Sequence, residues 1–106
     1  MGMGPDGHTA GIMPFPEDEN RFDVLFQNSE KWVVGYDAEE KNQYPLRVTT
    51  TIPFLRMVDY ALLYCVGENK KEALKRVLAD GGVYAETPAR VIREMATTHI
   101  VTDIKT

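Results

Sequence analysis

The sequence predicts an α+β fold: a three-stranded antiparallel meander packed by two to three helices and followed by a C-terminal strand. Three observations support this class. Residues 21–27, 31–37 and 44–52 each alternate between apolar and polar, residues 51–66 form an apolar stretch with helix start and stop signals, and two later segments carry helix caps. With 106 residues and 43% hydrophobic content, the chain has the size and composition of one ordinary globular unit.

Residues 1–20 are predicted to form a mobile N-terminal arm, and residues 21–106 a single α+β domain. The first segment is rich in Gly and Pro and shows no hydrophobic period. Its spacing Gly2-x-Gly4-x-x-Gly7 matches the dinucleotide-binding fingerprint literally. That motif needs a strand before it and a helix after it, and neither is predicted here, so no cofactor is expected.

The meander is predicted from three alternating segments. Residues 21–27 and 31–37 would pair through a turn at residues 28–30, with an aromatic-rich inner face. The third strand would span residues 44–52 and place Tyr36 opposite Tyr44 or Leu46, with Leu46 and Val48 facing inward. On the outer face, Leu25 lies opposite Val33 as an apolar island, which is either two exposed residues or an oligomer contact.

The central helix is predicted over residues 52–66. Thr51 is a plausible N-cap, Pro53 lies in the first turn, and Gly67 ends the helix. A strand over residues 60–66 is the competing interpretation, because short apolar runs are ambiguous. A helix that is apolar on almost every side is covered on several sides or binds a partner. We therefore expect a homo-oligomer, most simply a two-fold dimer.

Two further helices and a last strand complete the expected fold. Asn69 caps a helix that ends at Gly81, with its apolar stripe at residues 73, 74, 77 and 78. Thr87 caps a third helix opened by Pro88, with Arg90 and Arg93 facing outward. Residues 99–104 are predicted to form the final strand.

The candidate binding surface lies on the central helix. Arg56 and Asp59 are its only polar side chains, and they could orient a ligand or partner beside Met57, Tyr60 and Tyr64. No catalytic residue and no metal site are predicted. Cys65 would be a small core residue, and the histidines, His8 and His99, lie far from it in sequence.

Residues 77–92 resemble the turn and recognition helix of lac-repressor-type DNA-binding domains. The resemblance rests on Gly82-Val83, Thr87 and Arg90-Val91, and implies that helices within residues 70–98 contact DNA. However, Pro88 would fall inside the recognition helix, and the local charges nearly cancel. Nucleic acid is therefore an unfavoured partner.

Three functional classes remain open from the sequence. The first is a small non-catalytic binding or regulatory module that acts as a homo-oligomer, through a protein or small-molecule partner. The second is a helix-turn-helix-like DNA-binding regulator, and the third is a small-molecule-binding protein or enzyme with a pocket between sheet and central helix. A net charge of −4, one cysteine and no long apolar run indicate a reduced, cytoplasmic protein without a membrane partner.

Overall fold

The computed structural model describes residues 1–106 and contains both helices and strands, which confirms the α+β class but not the predicted meander. The helices are α1 (Glu19–Phe22), α2 (Ile52–Arg56) and α3 (Lys71–Leu78), and the strands are β1 (Val33–Asp37), β2 (Leu46–Thr50), β3 (Tyr60–Cys65) and β4 (Thr97–Thr102). A π-helical turn continues α1 over Asp23–Gln27, and 3₁₀ turns occupy Glu39–Lys41, Glu68–Lys70 and Pro88–Glu94. None of the helices is long and apolar enough to cross a bilayer.

The main sheet is parallel. β3 pairs with β4 in a register that sets Tyr60 opposite Thr97 and Cys65 opposite Thr102. On the other side of β3, Gly2 forms a parallel bridge to Tyr64, whose N–H donates to the Met1 carbonyl at 2.8 Å. The connection from β3 to β4 contains α3, as parallel neighbours require a long crossover. The N-terminal segment, β3 and β4 therefore run in the same direction, and their carboxyl ends lie together along one edge of the sheet.

The expected central helix is wrong beyond its first turn, because the chain leaves α2 at Met57 and enters β3 at Tyr60. Burial along β3 alternates: Ala61, Leu63 and Cys65 are buried, and the residues between them are exposed. Strands of parallel sheets are continuous apolar runs in sequence, which is why this segment imitates a buried helix. Because the residues on both faces of β3 are apolar, the alternation between buried and exposed positions can be seen in the structure but not in the sequence.

The first predicted strand is also wrong, since residues 19–27 are helical. Asp18 Oδ1 accepts from the Arg21 N–H at 3.0 Å and caps α1. Phe22 and Phe26 are fully buried, whereas Val24 is 73% exposed. Residues four apart, such as Phe22 and Phe26, lie on the same side of a strand and also on the same side of a helix. The two phenylalanines therefore fit both structures, and only Val24, which would face inward in a strand but is exposed here, identifies the helix.

β1 and β2 form an antiparallel pair, but in a different register from the one predicted. Arg47 lies opposite Tyr36, and Leu46, opposite Asp37, is 81% exposed. The inner face is instead held by polar contacts to the N-terminal segment. Tyr36 Oη donates to the Gly11 carbonyl at 2.6 Å, and Thr49 Oγ1 accepts from the Gly11 N–H at 2.9 Å.

Residues 1–20, expected as an arm, pack into the core instead. Met3, Ile12, Met13 and Phe15 are buried, and the Phe15 ring contacts those of Phe26 and Tyr36. Periodicity cannot reveal such burial, because the segment has no regular secondary structure and is held by individual hydrogen bonds.

Of the apolar stripe expected on α3, Ala73, Leu74 and Val77 are buried, whereas Leu78 is 44% exposed. The third predicted helix is a 3₁₀ segment, so no second α-helix follows the turn and the helix-turn-helix geometry is absent. Arg90, expected to face outward, is 7% exposed, and it donates to the Arg76 and Ala79 carbonyls at the end of α3. A guanidinium at a helix C-terminus satisfies free carbonyls and complements the helix dipole.

Candidate active site

A tight loop follows the N-terminal bridge to β3. The Gly7 N–H donates to the Gly4 carbonyl at 2.9 Å, and the Gly4 N–H donates to the His8 carbonyl at 3.0 Å. Gly7 has φ of +92°, a conformation that glycine adopts without strain. The chain thereby turns back on itself and brings the side chains of Asp6 and His8 together.

Asp6 and His8 form a carboxylate–imidazole pair. His8 Nδ1 lies 2.6 Å from Asp6 Oδ1, and the His8 N–H donates to the same oxygen at 3.0 Å. Because an ionised carboxylate only accepts hydrogen bonds, the neutral imidazole carries its proton on Nδ1 and leaves Nε2 as a hydrogen-bond acceptor. Burial acts to raise the pKa of Asp6, but the hydrogen bonds and charge of His8 outweigh it and hold that pKa below its ordinary value.

The imidazole lies directly against Gly4. A Cβ atom at this position would be 2.2 Å from His8 Cε1 and 2.3 Å from Nδ1, far inside van der Waals contact. Gly4 is therefore required for the close approach of the ring. The loop has glycine where the side chain of His8 must fit.

His8 faces a cleft of about 410 Å³ at the carboxyl edge of the parallel strands. The cleft is lined by residues 2–5, His8, Ala10 and Lys70. The edge where parallel strands end is the usual ligand site of open α/β sheets. The cleft thus lies where the parallel strands end, and none of its lining residues belongs to α2 or to β1 and β2.

Lys70 is held at this edge by the turn that follows β3. Gly67, with φ of +111°, donates its N–H to Asp103 Oδ1 at 3.0 Å, just beyond β4. The Lys70 N–H then donates to the Gly67 carbonyl at 3.0 Å. Lys70 is partly buried and lines the same cleft as His8, so one site combines an imidazole with the side chain of a lysine.

The residues predicted as a binding surface lie elsewhere. Met57, Tyr60 and Tyr64 are exposed, with Tyr60 and Tyr64 on the open face of β3, and none lines the cleft. Asp59 is exposed as well. Of the predicted oligomer contact, Val33 is exposed and Leu25 half-buried, and neither lies at the cleft.

Arg56 belongs to a separate network. Its Nε donates to Glu94 Oε2 at 2.9 Å, and the same oxygen accepts from the Tyr84 hydroxyl. The hydrogen bond to Glu94 raises the pKa of Arg56, despite partial burial. Arg56 thus links α2 to the 3₁₀ segment over Pro88–Glu94.

Sequence reasoning misses the candidate functional residues of the cleft, Asp6, His8 and Lys70. It considers His8 as a base for Cys65 or as a zinc ligand and sets both roles aside. In the structure the Cys65 side chain is buried, and burial raises its pKa. One signal does point to the loop: three glycines within six residues enclose Asp6 and precede a histidine. Glycines at that density indicate close approach of the backbone to another group, even without the flanking pattern of a nucleotide-binding motif.

Comparison with known proteins places this geometry in a family. The family model of glucosamine-6-phosphate isomerases/6-phosphogluconolactonase matches residues 1–101. The 6-phosphogluconolactonases of Homo sapiens and Rattus norvegicus are 36% and 35% identical over 80 residues, which is 76% of this chain and 28% of each relative. The chain thus spans between a quarter and a third of the length of these relatives.

Solved structures agree with the sequence matches. The 6-phosphogluconolactonase of Thermotoga maritima superposes with a TM-score of 0.70 and 30% identity, over 95% of this chain and 40% of that one. The enzyme of Trypanosoma brucei gives a TM-score of 0.71 at 24% identity, over 95% and 37% of the two chains, and so supports the fold.

These matches overturn the functional interpretation drawn from sequence. The proposed non-catalytic binding module and the DNA-binding regulator are both wrong, because the matching family and its relatives are enzymes. The pocket expected between sheet and central helix has no counterpart in the structure, because that helix ends at Arg56 and a strand follows. The chain belongs to the glucosamine-6-phosphate isomerase/6-phosphogluconolactonase family.

Proposed function

We propose that this chain provides the catalytic cleft of a 6-phosphogluconolactonase, which hydrolyses the lactone of a phosphorylated sugar acid. One observation supports the proposal above the others: the Asp6–His8 pair, 2.6 Å apart, faces a cleft that also contains Lys70. The names of the relatives supply the substrate class, and the residues of this chain supply a base and a cation suited to it.

His8 acts as the general base in this mechanism. Its Nε2 takes a proton from a water molecule as the water oxygen attacks the lactone carbonyl carbon, giving a tetrahedral intermediate. The ring C–O bond of the lactone then breaks, and the leaving oxygen takes the proton back from the imidazolium. Asp6 holds the imidazole in the required tautomer and stabilises the positive charge it carries between the two steps.

Lys70 binds the phosphate group of the substrate. A phosphate is a dianion near neutral pH, and an ammonium group is a common partner for it. Because Lys70 and His8 line the same cleft, binding the phosphate also orients the lactone ring towards the base.

Substitution of the two histidines tests this proposal. In His8→Gln, kcat/KM for lactone hydrolysis is expected to fall by roughly 10²–10⁴-fold, the usual contribution of general-base catalysis. The matched control is His99→Gln, on β4 and outside the cleft, which should retain full activity. A wild-type chain without lactonase activity, or one that converts glucosamine-6-phosphate instead, would refute the proposal.

We also propose that the chain works as a homodimer in a reducing, cytoplasmic compartment. Tyr60, Leu62 and Tyr64 support the dimer, because they form an exposed apolar row on β3, and parallel sheets are ordinarily covered on both faces. The unpaired thiol of Cys65 supports the compartment. Light scattering coupled to size-exclusion chromatography tests the dimer at micromolar concentration, and a 12.0 kDa species would contradict it.

A further inference from the structure

The catalytic loop is fastened to a segment that does not line the cleft. The Ala89 N–H donates to the Gly7 carbonyl at 3.0 Å, and the Phe15 N–H donates to the Ala85 carbonyl at 2.7 Å. These two hydrogen bonds lie on either side of His8 in sequence. Residues 85–89 therefore bind both ends of the loop segment that contains His8.

Thr87 occupies the middle of this fastening segment. It is 1% exposed, and its Cγ2 lies 3.0 Å from the position a Cβ would take on Gly7. The methyl group of Thr87 thus packs against the glycine between Asp6 and His8, and the Cα atom of Thr87, which serine would retain, lies 3.4 Å from the same position. Any displacement of Thr87 acts directly on the backbone that carries the pair.

Arg76 fixes Thr87 from the other side. Its Nε donates to Thr87 Oγ1 at 3.1 Å, and its Nη2 lies 3.6 Å from the same Cβ position on Gly7. Arg76 belongs to α3, which begins one residue after Lys70. Lys70 therefore lies immediately before the helix that carries Arg76 near its end.

We propose that Arg76 and Thr87 are positioning residues, which hold the Asp6–His8 pair at a set distance from Lys70 through Gly7. The inference rests on the proposed lactonase function for its catalytic consequence, and on the contacts above for its structural one. Arg76 and Thr87 act on the orientation of the imidazole. They touch neither the lactone nor the phosphate.

Two variants of Thr87 separate the hydrogen bond from the packing. Thr87→Val keeps the methyl group against Gly7 but removes the oxygen that accepts from Arg76, and Thr87→Ser keeps the oxygen and removes the methyl group. Arg76→Met removes the donor from the opposite side, and so replaces Thr87→Val if that variant fails to fold. Because Arg76 and Thr87 act as one unit, Arg76→Met/Thr87→Val should cost little more than either single change.

The first measurement is independent of catalysis. Imidazole nitrogen shifts of the full chain, recorded by long-range ¹H–¹⁵N NMR, should show one Nδ1-protonated tautomer for His8 in the wild type. Asp6→Asn serves as the reference, since it gives the nitrogen shifts of a His8 imidazole that has no carboxylate partner. In Thr87→Val and Arg76→Met the two His8 nitrogen shifts should move towards each other, while Thr87→Ser stays close to wild type and His99 provides an unaffected internal reference.

The second measurement is kinetic. Thr87→Val and Arg76→Met should lower kcat about tenfold, because small displacements of a base are costly, and should change KM less than twofold, because Lys70 is untouched. Unchanged His8 shifts in both variants would overturn the positioning role, as would equal losses in Thr87→Val and Thr87→Ser. Altered His8 shifts in a chain without lactonase activity would support the positioning role and refute the proposed function.

Discussion

The loop at residues 4–15 and helix α3 show how differently structure and chemistry are encoded in this chain. In α3, a regular stripe of apolar residues is buried and the helix end is capped by arginines from elsewhere. In the loop, Thr9, Ile12, Met13 and Phe15 are just as buried, but they follow no period, and the backbone is held by separate hydrogen bonds. The helix can be predicted from the sequence because its buried residues recur with a period of about 3.6 residues. The loop, which carries the proposed catalytic pair, follows no repeated pattern.

If this contrast is right, substitutions in the two regions should affect different properties of the protein. A change in the apolar stripe of α3 should lower the free energy of unfolding, and a change in the loop should lower activity in a folded protein. The following variants test that separation, beginning with the largest expected effect.

Leu74→Ala removes a side chain that is 1% exposed at the centre of the α3 stripe. We expect the free energy of unfolding to fall by about 2–5 kcal/mol, the usual range for leucine-to-alanine changes in a core. Urea denaturation followed by circular dichroism measures the loss. A loss below about 1 kcal/mol would show that α3 is not the rigid support that this comparison assumes.

Gly4→Ala tests the loop. The added methyl group would lie 2.2 Å from His8 Cε1, so the imidazole must leave its position beside Asp6. We expect kcat/KM for the lactone to fall about a hundredfold, as for other displacements of a catalytic group by about 1 Å, with a smaller loss of stability than in Leu74→Ala.

The control for that variant is Gly81→Ala. A Cβ at Gly81 meets no heavy atom within 4 Å, and its backbone is not in the left-handed region. Its activity and stability should match the wild type. If Gly4→Ala unfolded the chain more than it impaired the enzyme, the loop would be chiefly a structural element, and the contrast with α3 would disappear.

Sequence reasoning predicts the class of the fold and the α3 stripe, because both depend on composition and on a period of 3.6 residues. It misassigns residues 22–26 and 60–65, where spacings suit more than one structure: Phe22 and Phe26 meet on one side of a strand or a helix, and a parallel strand is as apolar as a buried helix. It misses Asp6 and His8 because they meet in an irregular turn, which no hydrophobic period in the sequence indicates. It misses Lys70 because the sheet edge that joins it to His8 exists only when residue 2 pairs with residue 64.

The smallest expected effect concerns the stability of the loop at acid pH. His8 holds the pKa of Asp6 below its ordinary value in the folded chain, so the carboxylate stabilises the fold above its unfolded pKa of about 3.9. That contribution is lost as the pH falls through the lower, folded pKa. Asp6→Asn lacks it, so the difference in free energy of unfolding between wild type and Asp6→Asn should shrink as the pH is lowered from about 5 towards about 2.

The size of this difference should be modest, because the Asp6 side chain is 45% exposed and water screens the pair. Urea titrations of both proteins at each pH measure it, and Asp103→Asn serves as a comparison, since that carboxylate accepts from the Gly67 N–H and lies away from the loop. A pH-independent difference for Asp6→Asn would mean that the carboxylate contributes no net charge interaction to the loop. The pair would then serve only to orient the imidazole.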